Sequence, residues 1–163
     1  MNQELLRAAR EKMKDVCPLD RDCGKKCGAA CCQPDEDGQG GMYLFPGEEE
    51  MAGGDWASIL PAMMGERETN ILVCGGECER ERRPLGCMIF PLTPVVDEEG
   101  NIKVRFDYRA RRMCPLLKFG VRGLKKEFVD TVREVLQMIA SDEEGLQFLR
   151  DWQALEEQFD FHL

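Results

Sequence analysis

One stretch constrains this chain more than any other: residues 17–32, CPLDRDCGKKCGAACC. It holds five of the nine cysteines, Cys17, Cys23, Cys27, Cys31 and Cys32, and the others follow at Cys74, Cys78, Cys87 and Cys114. In a small secreted domain so many thiols would signal a disulfide framework, leaving one thiol over from an odd count. The opening MNQELLRAAREKMKD alternates charge with Leu and Ala and does not read as a secretory signal. A cytoplasmic location is therefore expected, and there metal ligation is the better default for closely spaced thiols.

The spacings fit that default. The chain carries Cys23-x3-Cys27-x3-Cys31-Cys32, then Cys74-x3-Cys78 and Cys87. Short loops bring two sulfurs to one metal at small entropic cost, and a tetrahedral zinc or an iron–sulfur cluster takes four as a rule. Cys23, Cys27 and Cys74 each precede a glycine, which lets the backbone turn tightly and aim N–H groups at sulfur. Cys31 and Cys32 are adjacent, so their side chains need not serve the same ion. Nine thiols suffice for two four-thiolate sites with one to spare, but counting alone leaves one site or two open. The expected ligands are Cys23, Cys27, Cys31, Cys32, Cys74, Cys78, Cys87 and Cys114, with Cys17 the spare. Zinc and an iron–sulfur cluster remain equal alternatives, since thiolates accept both.

Charge sets the partners. The net charge is −9, which argues against binding nucleic acid through phosphate contacts. Residues 33–78 hold ten acids against one base, whereas residues 79–114 hold eight bases against six acids. Arg80, Arg82, Arg83, Arg109, Arg111 and Arg112 in that basic part are expected either to lower nearby thiol pKa values or to pair with the acidic part. No run approaches the roughly 18–20 apolar residues of a membrane span, so no membrane partner is expected.

Hydrophobic periodicity predicts a single α+β domain: an irregular cysteine-rich metal-binding core with a few short strands, an N-terminal helix and a C-terminal helical hairpin. Leu5, Leu6, Ala9 and Met13 mark a helix over 2–15 that Pro18 stops. Pro34, Asp35, Asp37, Gly38, Gly40 and Gly41 preclude regular structure after the cysteines. Strands are expected at 41–45, 69–74 and 102–108, the last with Ile102, Val104, Phe106 and Tyr108 on one face. Residues 55–64, interrupted by Pro61, read as a packing segment without defined structure, and 88–96, with Pro91 and Pro94, as an irregular or edge strand. Glu48, Glu49 and Glu50 read as a solvated helix start. Leu124, Phe128, Val132, Val135 and Ile139 form the stripe of a helix over 121–140, and Leu146, Leu149, Trp152 and Leu155 that of a second, capped by Ser141 or Asp142. Met63, Met64, Trp56 and Trp152 read as packing residues.

Taken in order, these motifs resemble the YkgJ-type cysteine-cluster family of zinc- or iron-chelating domains. The resemblance runs over residues 17–117 and rests on Cys27-Gly28-Ala29-Ala30-Cys31-Cys32, Pro46-Gly47-Glu48, Arg83-Pro84-Leu85-Gly86-Cys87, Phe90-Pro91 and Cys114-Pro115. Two residues separate Gly28 from Cys31 where the family has one, Cys23 stands three residues from Cys27 instead of two, the tyrosine usual between the last cysteine pair is missing, and Met88 replaces the usual arginine. The resemblance implies a metal or iron–sulfur site and no defined reaction.

The functions this supports are a non-catalytic metal-binding domain, an iron–sulfur protein that carries electrons or senses redox state, or an accessory subunit of a modification enzyme. His162, the sole histidine, sits one residue from the end and reads as a frayed terminal residue, so no catalytic set is built on it. The C-terminal helical pair, 121–160, is a candidate docking face for a protein partner.

Overall fold

The computed structural model describes residues 1–20, 22–33, 40–75 and 78–160. Pro34, Asp35, Asp37, Gly38 and His162 lie outside them. The chain is α+β. Helix α1 (Gln3–Met13) starts where the Asn2 side chain accepts from the N–H groups of Glu4 at 2.9 Å and Leu5 at 3.2 Å. Its buried Leu6, Ala9 and Met13 face helix α5 (Lys126–Ile139). Phe128, Val132, Val135 and Ile139 of α5 are fully buried, as the stripe predicts.

Asp142 caps helix α6 (Glu143–Asp160) by accepting from Gly145 N at 3.0 Å. A Cβ on Gly145 would stand 2.4 Å from the Ile139 carbonyl, so only glycine permits this corner. Helices α5 and α6 do not pair mainly with each other. The first packs on α1 and the strand at 102–106, the second on the strands at 92–96 and 57–64, so the expected hairpin is two helices laid separately against strands. Phe45, Phe148 and Trp152 close the core, with ring centroids 4.7–6.1 Å apart. Among the described residues no helix is long and apolar enough to cross a membrane.

Two small antiparallel sheets complete the fold. Strands β1 (Met42–Tyr43), β2 (Ala57–Met64) and β3 (Arg67–Cys74) form one, in the order β1-β3-β2. The segment with Pro61 is therefore a full strand. It lies at the sheet edge, where proline forfeits no ladder bond, and it pairs Pro61 with Asn70. Gly65, at φ 62°, and Glu66 make the two-residue turn into β3. Met64 is buried, whereas Met63 is exposed on the far side.

The short helices α2 (Gly24–Cys27) and α3 (Leu85–Ile89) flank this sheet in sequence, and α3 leads through a cis Phe90–Pro91 bond into the β4 (Leu92–Val96) and β5 (Ile102–Phe106) ribbon. Helix α4 (Ala110–Met113) follows. The 48–50 segment is a single 3-10 turn and only partly solvated. Glu49 and Glu50 are exposed, but Glu48 is wholly buried against Arg10 of α1. It also accepts from Leu85 N at 2.6 Å and Phe45 N at 3.1 Å, so one carboxylate ties α1, the turn and α3 together.

Candidate functional site

Local backbone shape decides where the cysteines of 17–32 go. Cys23 and Cys27 bracket α2 at i and i+4, which puts them on one helix face. The Cys27 thiol lies 3.7 Å from the Cys23 carbonyl. Gly28 and Ala29 then both take left-handed backbone, at φ 63° and 54°, and the chain swings into a 3-10 turn over Ala30–Cys32. That reversal puts Cys31 and Cys32 on a separate turn from the helix that carries Cys23 and Cys27.

Cys31 and Cys32 meet the later cysteines at a cleft. Cys74 arrives at the end of β3, opposite Ala57; Cys78 follows it, and Cys87 comes from α3. All five cysteines line this cleft with Trp56 and Arg83. Its volume is about 40 Å³, against roughly 10–15 Å³ for a single water. Cys32 lies within electrostatic reach of Cys31, Cys78, Cys74 and Cys87. Arg83 Nη2 stands 3.3 Å from the Cys78 sulfur. Two buried donors on the cleft wall, Trp56 Nε1 and Arg83 Nε, have no hydrogen-bond partner. Buried N–H groups left without an acceptor cost about 1–3 kcal/mol each, and sulfur atoms carrying negative charge would accept from them.

The remaining thiols sit elsewhere. Cys17, expected as a spare, lines a small hollow with Cys23, which is in electrostatic reach of Cys27. Cys27 is in turn within reach of Cys114, at the end of α4. None of the nine cysteines forms a disulfide. Contacts among the thiols are pairwise, and among the described residues no group of three or more His, Cys, Asp or Glu side chains is set to hold a metal ion as it stands.

Several thiols are harder to ionise than usual, contrary to the effect expected of the basic segments. Burial, followed by the neighbouring Cys17, pushes the Cys23 thiol up to about 12. The hydrogen bond with Cys31 leads in raising Cys32 to about 11. The hydrogen bond with Cys32 and then burial raise Cys78, and burial above all raises Cys87 and Cys114. Arg83 pulls Cys78 and Cys87 down, and Arg109 pulls Cys87 down, but neither prevails. Arg109 is engaged elsewhere, with Nη2 2.5 Å from Asp107 Oδ2. Arg82, Arg111 and Arg112 are exposed, so of the six arginines Arg83 alone contacts a thiol directly in the hydrogen bonds described. Crowded buried thiols resist losing protons one by one; a cation shared among them removes that penalty.

Trp56 reads from sequence as a packing aromatic, yet it stands on the cleft wall. Only the pairing of β2 with β3, which sets Ala57 beside Cys74, brings it there, and no local motif signals it. No protein-family model matches this chain, and no curated protein or solved structure does.

Proposed function

We propose that this is a metal-binding cysteine-cluster protein that holds zinc or an iron–sulfur cluster through thiolates drawn from Cys31, Cys32, Cys74, Cys78 and Cys87. The observation that carries this reading is the convergence of five thiols, from three separate parts of the chain, on one cleft with two orphaned N–H donors. The donor set is soft throughout, which suits zinc and iron–sulfur clusters and disfavours magnesium or calcium. Closing pairwise contacts into a four-thiolate cage needs side-chain rotation and small movements of the turn at 30–32, which carries no packed apolar anchor. Such closure is the usual coupling of metal binding to local folding. Bound there, the metal would supply structural cross-linking as zinc, or electron storage as a cluster. Arg83 and Trp56 would donate hydrogen bonds to the ligating sulfurs, which tunes a cluster's potential. Membership of the YkgJ-type family belongs to the same proposal and rests on motif order.

Anaerobic purification followed by elemental analysis and an absorption spectrum tests it. Zinc without iron assigns a structural role. Iron with acid-labile sulfide and a visible band assigns a cluster, and with it the redox or sensing alternative. A chain that carries neither metal, and whose melting is unmoved by added zinc under reductant, ends the proposal.

A further inference from the structure

We infer that the free edge of strand β2 takes an extended segment of a partner protein as an added strand, a segment apolar along its middle with Lys or Arg at both ends. This interaction goes beyond metal binding and does not depend on it.

Backbone direction fixes which groups face that edge. In the order β1-β3-β2, strand β2 pairs with β3 on one side, and among the described residues no strand occupies the other. Just before β2, Trp56 O accepts from Gly75 N at 3.0 Å, so Trp56 turns its backbone groups toward β3. Asn70 O accepts from Leu44 N at 2.9 Å on the β1 side. Pro61, the partner of Asn70 in the register, therefore turns its own groups away from β3. The two observations agree on a period of two, which sets Ile59, Pro61 and Met63 toward the open edge. Ile59 offers N–H and C=O there, and Pro61 offers C=O alone. Met63 offers N–H, its carbonyl accepting from Tyr43 Oη at 3.1 Å.

The side chains decide what fits. Strand β2 reads ASILPAMM, eight residues without a charge, and Ile59, Leu60 and Met63 are 37%, 49% and 53% exposed. Edge strands are ordinarily guarded by charge, and a long uncharged one is a template for another strand. Here the charge lies at the ends: exposed Asp55 precedes the strand, and exposed Glu66 and Glu68 follow it, with Glu68 opposite Met63. Arg67, the one base in residues 33–78, is held by Asp151. An apolar strip closed by carboxylates at both ends complements a segment with cations at both ends. A second copy of this chain fits worse. Antiparallel pairing about the middle of β2 would set Asp55 of one copy beside Gly65-Glu66 of the other, so like charges meet. It would also set Pro61 opposite Ile59 and leave the Ile59 carbonyl without a donor.

The test titrates the full chain, under reductant, into a fluorescein-labelled peptide of alternating Val and Thr between terminal Lys residues, and into the same peptide ended by Glu, reading anisotropy at two salt concentrations. The Lys-ended peptide should bind at least about tenfold more tightly, a preference that shrinks as salt is raised. Its binding should slow amide hydrogen exchange at Ile59 and Met63. Ile59→Pro removes an outward N–H at a position where, as at Pro61, no bond to β3 is lost. It should weaken binding at least about tenfold with little change in the urea midpoint. Asp55→Lys/Glu66→Lys should turn the preference to the Glu-ended peptide, and it decides by itself should the proline variant fail to fold. Equal binding of the two peptides, binding that leaves Ile59 and Met63 exchanging as before, or no binding at about 1 mM peptide would overturn the proposal. So would a dimer in sedimentation that Ile59→Pro dissolves, because a second copy would then occupy the edge.

Discussion

The two ends of this molecule are held by different means. Around α5, α6 and the β4–β5 ribbon, Phe128, Val132, Val135, Leu136, Phe148, Leu149 and Trp152 are all buried to within a percent of completely. Each large apolar side chain so buried contributes about 1.5–3 kcal/mol, which offsets the roughly 1–2 kcal/mol per residue lost in ordering the backbone. Between Met13 and Met42 the balance differs. No large apolar side chain among the described residues there is buried, and Val16 and Leu19 are only half covered. Single helical turns and two left-handed residues hold the cysteines instead. Packing defines the first region; the second has thiols where a core would be, and under the proposed function a bound metal would supply its cross-links.

The buried pair Arg10–Glu48 ties α1 to the start of α3, from which Cys87 reaches the cleft, so breaking it has the largest expected effect of any single substitution. Arg10 also donates to Met51 O at 3.3 Å and Glu81 O at 3.2 Å, and Glu48 holds the start of α3, which carries Cys87. Burial raises the Glu48 carboxyl pKa, while Arg10 and two backbone N–H groups draw it down. Glu48→Ala leaves the guanidinium buried without its counter-charge, at a cost of about 3–5 kcal/mol. Urea unfolding measures this, and the Arg10→Met/Glu48→Leu double variant should recover at least half. A loss below about 1 kcal/mol would mean that the regions are not coupled through this pair.

The two regions were also unequally legible in the sequence. Period-3.6 stripes gave α1, α5 and α6, and alternation gave β5, because each buries one continuous face in one core. Strand β2 was hidden by Pro61, whose cost depends on edge or centre placement, a fact of topology; Gly65-Glu66 was the available turn signal. Glu48 could not be told from Glu49 and Glu50, since burial of one of three identical neighbours depends on a partner 38 positions away. Cysteine spacing identified local pairs such as Cys23 and Cys27. It could not separate them from Cys31 and Cys32, because the reversal lies in the φ angles of Gly28 and Ala29, and alanine does not announce a left-handed conformation.

Within the packed region one buried carboxyl works against stability. Glu156 of α6, 2% exposed, accepts from Tyr108 N at 3.1 Å and Trp152 Nε1 at 3.4 Å. Burial first, and then nearby Asp107, raise its pKa from 4.5 to about 7, against the pull of Arg109. Between these values the folded chain binds more protons than the unfolded chain, so stability falls as pH rises through this range. Glu156→Gln keeps an acceptor and removes the charge. It should be more stable than the unaltered chain at pH 8 by about 2 kcal/mol and nearly equal at pH 4, read from denaturant midpoints at both pH values. Parallel pH profiles for the two chains would place the titration elsewhere.

The smallest effect expected is in the cysteine region and tests its hinge. A left-handed alanine costs about 1–2 kcal/mol relative to a right-handed one, a cost that glycine does not bear, although glycine also gives the unfolded chain about 0.4–1 kcal/mol of extra freedom. Ala29→Gly should therefore stabilise the chain by about 0.5–1 kcal/mol, seen as a higher midpoint in chemical unfolding. Ala29→Val should do the opposite, because β-branching makes φ near +54° still harder to hold. The same pair of variants separates hinge from packing: if Gly28 and Ala29 divide the cysteines, valine at 29 should make the half-buried Cys32 react faster with an alkylating agent while leaving Tyr108, Trp152 and the α5 stripe as they are. Equal stability for glycine and valine at this position would mean that the reversal between Cys27 and Cys31 is not fixed by the left-handed turn, and the boundary between the two thiol sets would then have to lie elsewhere.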